Sequence, residues 1–176
     1  MESEQARTLE ALELAVQMEV EGQEFYRKAS QRSSNRLAKE LFQQLASEED
    51  LHRRKFVEIY EALEKGQNWP SVTPPSEKGK RLKSLFAEAS RALGSEFQIA
   101  QSELDAIKIA MDMEEKSYNL YRSRSQQSSL PVERRFYEAL AAEERGHHLA
   151  LVDSYEYLSD PAGWFIKREH LSVDGP

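Results

Sequence analysis

Apolar residues recur along this chain at three- and four-residue intervals, the period of helices that pack by one face. Between Thr8 and Ala29 the positions Leu12, Ala15, Val16, Gly22, Phe25, Tyr26 and Ala29 form one such stripe and predict a long first helix. The run Ser30 to Asn35 breaks the stripe and offers capping hydroxyls. Leu37, Leu41, Leu45, Phe56, Ile59 and Leu63 then mark a second long helix, ending near Gly66, a residue suited to the left-handed turn after a helix. Trp69-Pro70 and Pro74-Pro75 exclude regular helix or central strand from the stretch 66–79, which reads as a long crossover. Leu82, Leu85, Phe86, Ala89 and Leu93 predict a short extra helix over about 80–93, before Gly94. Ser102, with Asp105 three residues on, has the form of a capping-box start for a third long helix running to about Gln127. Ser128-Ser129-Leu130-Pro131 supplies a cap and an early-turn proline for a fourth. Its face is Phe136, Leu140, Leu151, Tyr155 and Leu158, and Asp160-Pro161 and Gly163 stop it. The tail 159–176, with Trp164, Phe165 and Ile166, is expected to pack on the rest.

Two long helices, a crossover and two more predict an all-α four-helix bundle over residues 1–158. Sliding the chain on itself by 95 residues aligns Leu12–Tyr60 with Ile107–Tyr155 without a gap, and 16 of the 49 positions are identical. The matches include Met18/Met113, Glu19/Glu114, Tyr26/Tyr121, Leu45/Leu140, Glu49/Glu144 and His52/His147. Each half is therefore one helical hairpin, and the bundle is an internal duplication.

Length and composition narrow the chemistry. At 176 residues one domain is expected. Lys+Arg of 24 against Asp+Glu of 31 leaves a net charge of −7, which argues against a nucleic-acid partner. With no cysteine there is no disulfide, thiolate metal site, iron–sulfur cluster or thiol nucleophile. Met1 to Glu10 lacks an apolar signal core, and no stretch approaches the ~18 apolar residues of a membrane span, so a cytoplasmic protein without membrane contact is expected.

Against that background the apolar stripes carry an anomaly. They pass directly over Glu19 on the first helix, Glu49 and His52 on the second, Glu114 on the third, and Glu144 and His147 on the fourth. Any one of these glutamates could be a surface acid; four, with both histidines, in matched register argue for one interior site. Burying an unpaired carboxylate costs several kcal/mol even after relaxation, so four in a core of ordinary stability require compensation. Two divalent cations supply +4 against −4, and each Glu-x-x-His pair sets both ligands on one helical face. A carboxylate–imidazole shell without thiolate suits iron first, with manganese or zinc as further occupants. Tyr26 and Tyr121 follow the lone glutamates by seven residues on the same face, and each is expected to hydrogen-bond a ligand carboxylate. Glu48, Glu143 and Glu115 lie about a hundred degrees round the helix from a ligand and are expected on a solvated face. His148 is assigned to the surface, His170 to a structural or exposed place in the tail, and Trp69 and Trp164 to packing. The basic run from Lys78 to Lys83 reads as a local charge cluster.

The pattern Glu19…Glu49-x-x-His52 and Glu114…Glu144-x-x-His147, with 30 residues from Glu to Glu in each half, resembles the ferritin-like di-iron carboxylate proteins. The phrases MEVEGQEFY, LASEEDLH, DMEEKSYNLY and LAAEERGHH are similar to the helix motifs of the rubrerythrin family, over roughly Ala6 to Tyr157. That resemblance implies a di-iron centre held by Glu19, Glu49, His52, Glu114, Glu144 and His147. It also implies reduction of hydrogen peroxide or oxygen, the peroxidase activity of an oxidative-stress protein, with an iron-binding or ferroxidase role as the alternative. Rubrerythrins proper carry a four-cysteine rubredoxin domain; this chain has no cysteine, so electrons are expected from a separate donor protein such as a rubredoxin. A homodimer is expected. Where the family offers a further carboxylate three residues after the helix-three glutamate, this chain has Ser117.

Overall fold

A computed structural model describes residues 4–71 and 99–173, with side chains over 5–71 and 99–167. The expected short helix near 80–93, the basic run at Lys78–Lys83 and most of the crossover lie outside the described residues, as does the side chain of His170. Five helices are present among those described: α1 (Glu4–Arg32), α2 (Arg36–Glu64), α3 (Gln101–Gln127), α4 (Pro131–Ser159) and α5 (Pro161–Val173). α1 packs along α2 and α3 along α4, and the two hairpins meet through α1 against α3 and α2 against α4, which makes the four-helix bundle.

Two apolar layers sandwich a polar one. Tyr26 and Ala29 of α1, Leu45 of α2, Ala110 of α3 and Leu151 of α4 belong to one buried cluster. Leu12 and Ala15 of α1, Phe56 of α2, Tyr121 of α3 and Leu140 of α4 belong to the other. Along every helix the change from one cluster to the other falls at the Glu or Glu-x-x-His position, so the chain holds its acidic residues between two water-excluding plugs.

The helix ends show where local sequence decides structure. Asn35 caps α2 with its side-chain oxygen accepting from the Ala38 N–H at 3.2 Å. Gly66, at φ 71°, closes α2: its own N–H donates to Leu63 and the Gln67 N–H to Ala62, both at 3.0 Å. The Ser102–Asp105 start is corrected. α3 begins at Gln101 after Ala100, and it is Glu103 whose carboxylate accepts the Ala100 N–H, at 3.3 Å. Glu103 also accepts from the backbone of Ser34 at 2.7 Å and Asn35 at 3.0 Å, so it is buried in service of the other hairpin's turn rather than of its own helix alone. Pro131 opens α4 as expected, but the residue before it, Leu130, makes no side-chain cap. Ser128 instead donates to Glu133 at 2.7 Å. α4 stops at Ser159, yet the tail is itself helical: Pro161 begins α5, and Trp164 packs edge-on against Tyr157 with ring centres 5.2 Å apart. Trp69 likewise packs against Phe136. No described helix is long and apolar enough to cross a membrane.

Candidate metal centre

The polar layer gathers all six residues predicted as ligands. Glu19, Glu49, His52, Glu114, Glu144 and His147 are each 5% exposed or less, although they come from four helices and from both halves of the duplication. They form two overlapping groups of possible metal ligands. Glu19, Glu49, His52 and Glu144 offer one, and Glu49, Glu114, Glu144 and His147 the other, with the ligand atoms of each group within 4.8 Å of one another. Glu49 and Glu144 are common to both.

The imidazole rings stack nearly parallel, 5.8 Å between centres, and turn the same nitrogen inward. His52 Nδ1 lies 3.1 Å from Glu144 and 3.5 Å from Glu19; His147 Nδ1 lies 3.4 Å from Glu114 and 3.5 Å from Glu144. The outer nitrogens are held differently. His52 Nε2 is 2.7 Å from Glu143, and His147 Nε2 is 2.7 Å from Glu48. A carboxylate accepts, so each Nε2 carries a proton, and Nδ1 is the nitrogen that becomes available to a metal once its own proton is given up. Here the expectation of a solvated face fails for Glu48 and Glu143: Glu48 is 1% exposed and the Glu143 side chain 11%. Both bonds cross between the hairpins, because α2 and α4 face each other and the position beside one helix's ligand lies under the opposite histidine. Periodicity along a single helix carries no sign of that; the Glu-Glu-x-x-His repeat in both halves was the available clue. Glu115 is exposed, as expected. His148 is half-buried, its Nδ1 3.1 Å from the Met111 carbonyl.

The tyrosines also cross. The Tyr26 hydroxyl donates to Glu114, and the Tyr121 hydroxyl to Glu19, in short buried contacts. Burial first, and then the surrounding glutamates, push both phenols well above their usual range, so they keep their protons and act as donors.

Whether these residues suit a metal pair is tested by the atoms left over. Glu19 Oε2, Glu49 Oε1, Glu114 Oε2, both Glu144 oxygens and the Nδ1 of His52 and His147 are buried and make no hydrogen bond. Orphaned lone pairs on this scale are costly unless a cation accepts them, and all of them face one space. Proton affinities in the metal-free protein agree. Burial lifts Glu49 well above the ordinary carboxylate range, reinforced by Glu19 and Glu114. Burial also raises Glu114 to about 7, with His147 opposing and Glu144 assisting. For the imidazoles burial acts downward, but Glu19 beside His52 and Glu114 beside His147 overcome it and hold both well above their usual value. Glu144 goes the other way: against burial and Glu49, the hydrogen bonds from His147 and His52 hold it below its usual range.

An opening reaches this layer between α1 and α3. It has a volume of about 340 Å³, and its lining includes Met18, Gly22, Phe25, Met113 and Ser117 around Tyr26, Glu49 and Glu114.

A family model for rubrerythrin matches residues 10–155. No curated protein and no solved structure gave a significant match. The matched span takes in α1 from its second turn, both helical hairpins and nearly all of α4, and the residues that the motifs singled out are those that the bundle brings into one buried layer, so the chain belongs to the rubrerythrin family.

Proposed function

We propose that this protein is a non-haem di-iron oxidoreductase that reduces hydrogen peroxide with electrons from a separate donor protein such as a rubredoxin. The observation that carries the reading is the convergence of unpartnered carboxylate oxygens and imidazole nitrogens in one buried layer, of which Glu49 and Glu114 line an opening wide enough for a small oxidant. A bound iron pair supplies one-electron equivalents and Lewis acidity toward a peroxide oxygen.

The chain's own residues set the conditions for that chemistry. Glu19 and His52 would complete one ligand set and Glu114 and His147 the other, with Glu49 and Glu144 on offer to both. Glu143 and Glu48 hold the imidazoles in the tautomer that leaves Nδ1 free to coordinate. Tyr121 and Tyr26 fix the orientation of Glu19 and Glu114 by donating to one oxygen of each, leaving the other oxygen for a metal. Charge follows the same layering. The four inner glutamates balance two divalent ions, and adding Glu48 and Glu143 gives six carboxylates, enough to balance two trivalent ions. The site can therefore tolerate loss of one electron per ion without leaving a large uncompensated charge in a dry interior.

The test is the near-ultraviolet absorbance on mixing stoichiometric hydrogen peroxide with protein loaded anaerobically with Fe(II). Growth of ferric absorption faster than with dissolved oxygen, abolished in Glu49→Ala and His147→Ala, is the expected result. A slow response, or one faster with oxygen, would replace this reading with iron binding and ferroxidase activity. Sedimentation supplies the second discriminator: a homodimer belongs with the peroxidase, a many-subunit shell with storage.

A further inference from the structure

We propose that the opening between α1 and α3 admits a neutral organic hydroperoxide, ROOH with an apolar R group, as a substrate class of the site. The inference rests on the peroxide-reducing function proposed above and names a further oxidant for it.

The opening is larger than hydrogen peroxide requires. Hydrogen peroxide is little larger than water, whose share of the liquid is about 30 Å³. The opening offers about 340 Å³, in the range where pockets for organic ligands begin, ~300 Å³.

Two small residues leave that space open. Gly22 and Ser117 are equivalent positions of the duplication, each three residues after the lone glutamate of its helix, and both line the opening. A Cβ on Gly22 would already stand 3.5 Å from Glu49 Cγ and Oε2. Any larger side chain would close the view of Glu49 from outside. Ser117 keeps the opposite wall short and uncharged.

The chemistry of the lining agrees with its size. Met18 and Met113, again equivalent positions, and Phe25 form apolar, adaptable walls, while Glu49 and Glu114 form the floor. Glu21 and Lys116, the remaining charged lining residues, have opposite signs and are exposed. Apolar walls around a polar floor favour a neutral molecule with one polar end over a charged one. In the fitting orientation the O–O group lies toward Glu49 and Glu114, and R rests against Met18, Phe25 and Met113. The reaction balances as ROOH + 2e⁻ + 2H⁺ → ROH + H₂O. The O–O bond breaks, the RO fragment leaves as the alcohol, and the terminal oxygen leaves as water. Both electrons come from the reduced iron pair, which the separate one-electron donor protein restores; the protons come from solvent.

The experiment uses the four methionines as reporters. Protein carrying ¹³C-labelled methionine methyls and loaded with redox-inert Zn(II) is titrated with 2-phenylpropan-2-ol, the product alcohol of cumene hydroperoxide. Saturable shifts at Met18 and Met113, with Met1 and Met111 unmoved, are expected. In the iron-loaded protein, Ser117→Leu should lower the ratio of kcat/KM for cumene hydroperoxide to that for hydrogen peroxide at least tenfold. The wild-type titration stands whether or not the variant folds. Silent methyls with brisk hydrogen peroxide turnover would overturn this inference and leave the proposed function intact. Turnover of neither peroxide would overturn both.

Discussion

At the scale of the residue, Glu48 and Glu143 decide how the histidines behave. Each accepts the Nε2 proton of the histidine from the other hairpin at 2.7 Å, and His147 in turn holds the Glu48 carboxyl below its usual range despite burial. Glu48→Ala should weaken metal binding by about 10- to 100-fold, the usual cost of losing a carboxylate behind a ligating histidine, measured by competition with a chromophoric chelator. Glu48→Gln should recover part of the loss, because an amide oxygen still accepts the proton's hydrogen bond without the charge. Affinity should also depend on pH. Without a bound metal Glu114 sits at about 7 and Glu49, His52 and His147 are all raised, while Glu144 is lowered, so a metal entering at neutral pH must displace the protons of the raised groups. Raising the pH removes them beforehand. Apparent affinity for Co(II) should therefore climb between pH 6 and 8, roughly tenfold per unit for each proton displaced, and the same competition assay reads the slope. A flat profile would mean that the apo site carries no extra protons.

At the scale of the element, the helices are specified mostly by local pattern and the loops by contacts the pattern does not contain. Gly66 is legible because only a residue at ease with positive φ ends a helix that way. Glu103 is not legible. It lies in the first turn of α3 and accepts from Ser34, Asn35 and Ala100 together, anchoring the start of α2 from 68 residues away. Removing it leaves buried backbone donors without acceptors. Glu103→Ala should cost about 3 kcal/mol of stability, on the scale of hydrogen bonds to a charged group, as measured by urea denaturation. Truncating the half-exposed Glu40, paired with Arg36 at 2.7 Å on the surface of α2, should cost under about 1 kcal/mol in the same assay and serves as the control.

At the scale of the whole molecule, the polar layer is both the site and a weakness. The four glutamates between two apolar plugs repel one another and leave oxygens without partners when no cation is present, so a bound metal would be linked thermodynamically to the fold. Ligand at about a thousand times its dissociation constant adds about 4 kcal/mol to stability. For a chain of this size each kcal/mol moves Tm by about 2–4 °C. Chelation should thus lower Tm by on the order of 10 °C or more, and restoring metal should recover it; scanning calorimetry with and without chelator checks both. No shift would mean that the cluster is stable on its protons alone.

The helical period, the duplication and the six inner residues are legible along the chain, because a charged side chain on an apolar stripe stands out within one helix. So are the two tyrosines, since seven residues return a side chain to the same face. Which side chain partners which is set by how the helices pack. Tyr26 meets Glu114 and Tyr121 meets Glu19 across the bundle, Glu48 and Glu143 serve the opposite hairpin's histidines, and Glu103 pins a turn in the other half. The reason is physical: periodicity records which side of a helix avoids water, whereas the identity of the neighbour on that side depends on how two helices far apart in the chain are set against each other.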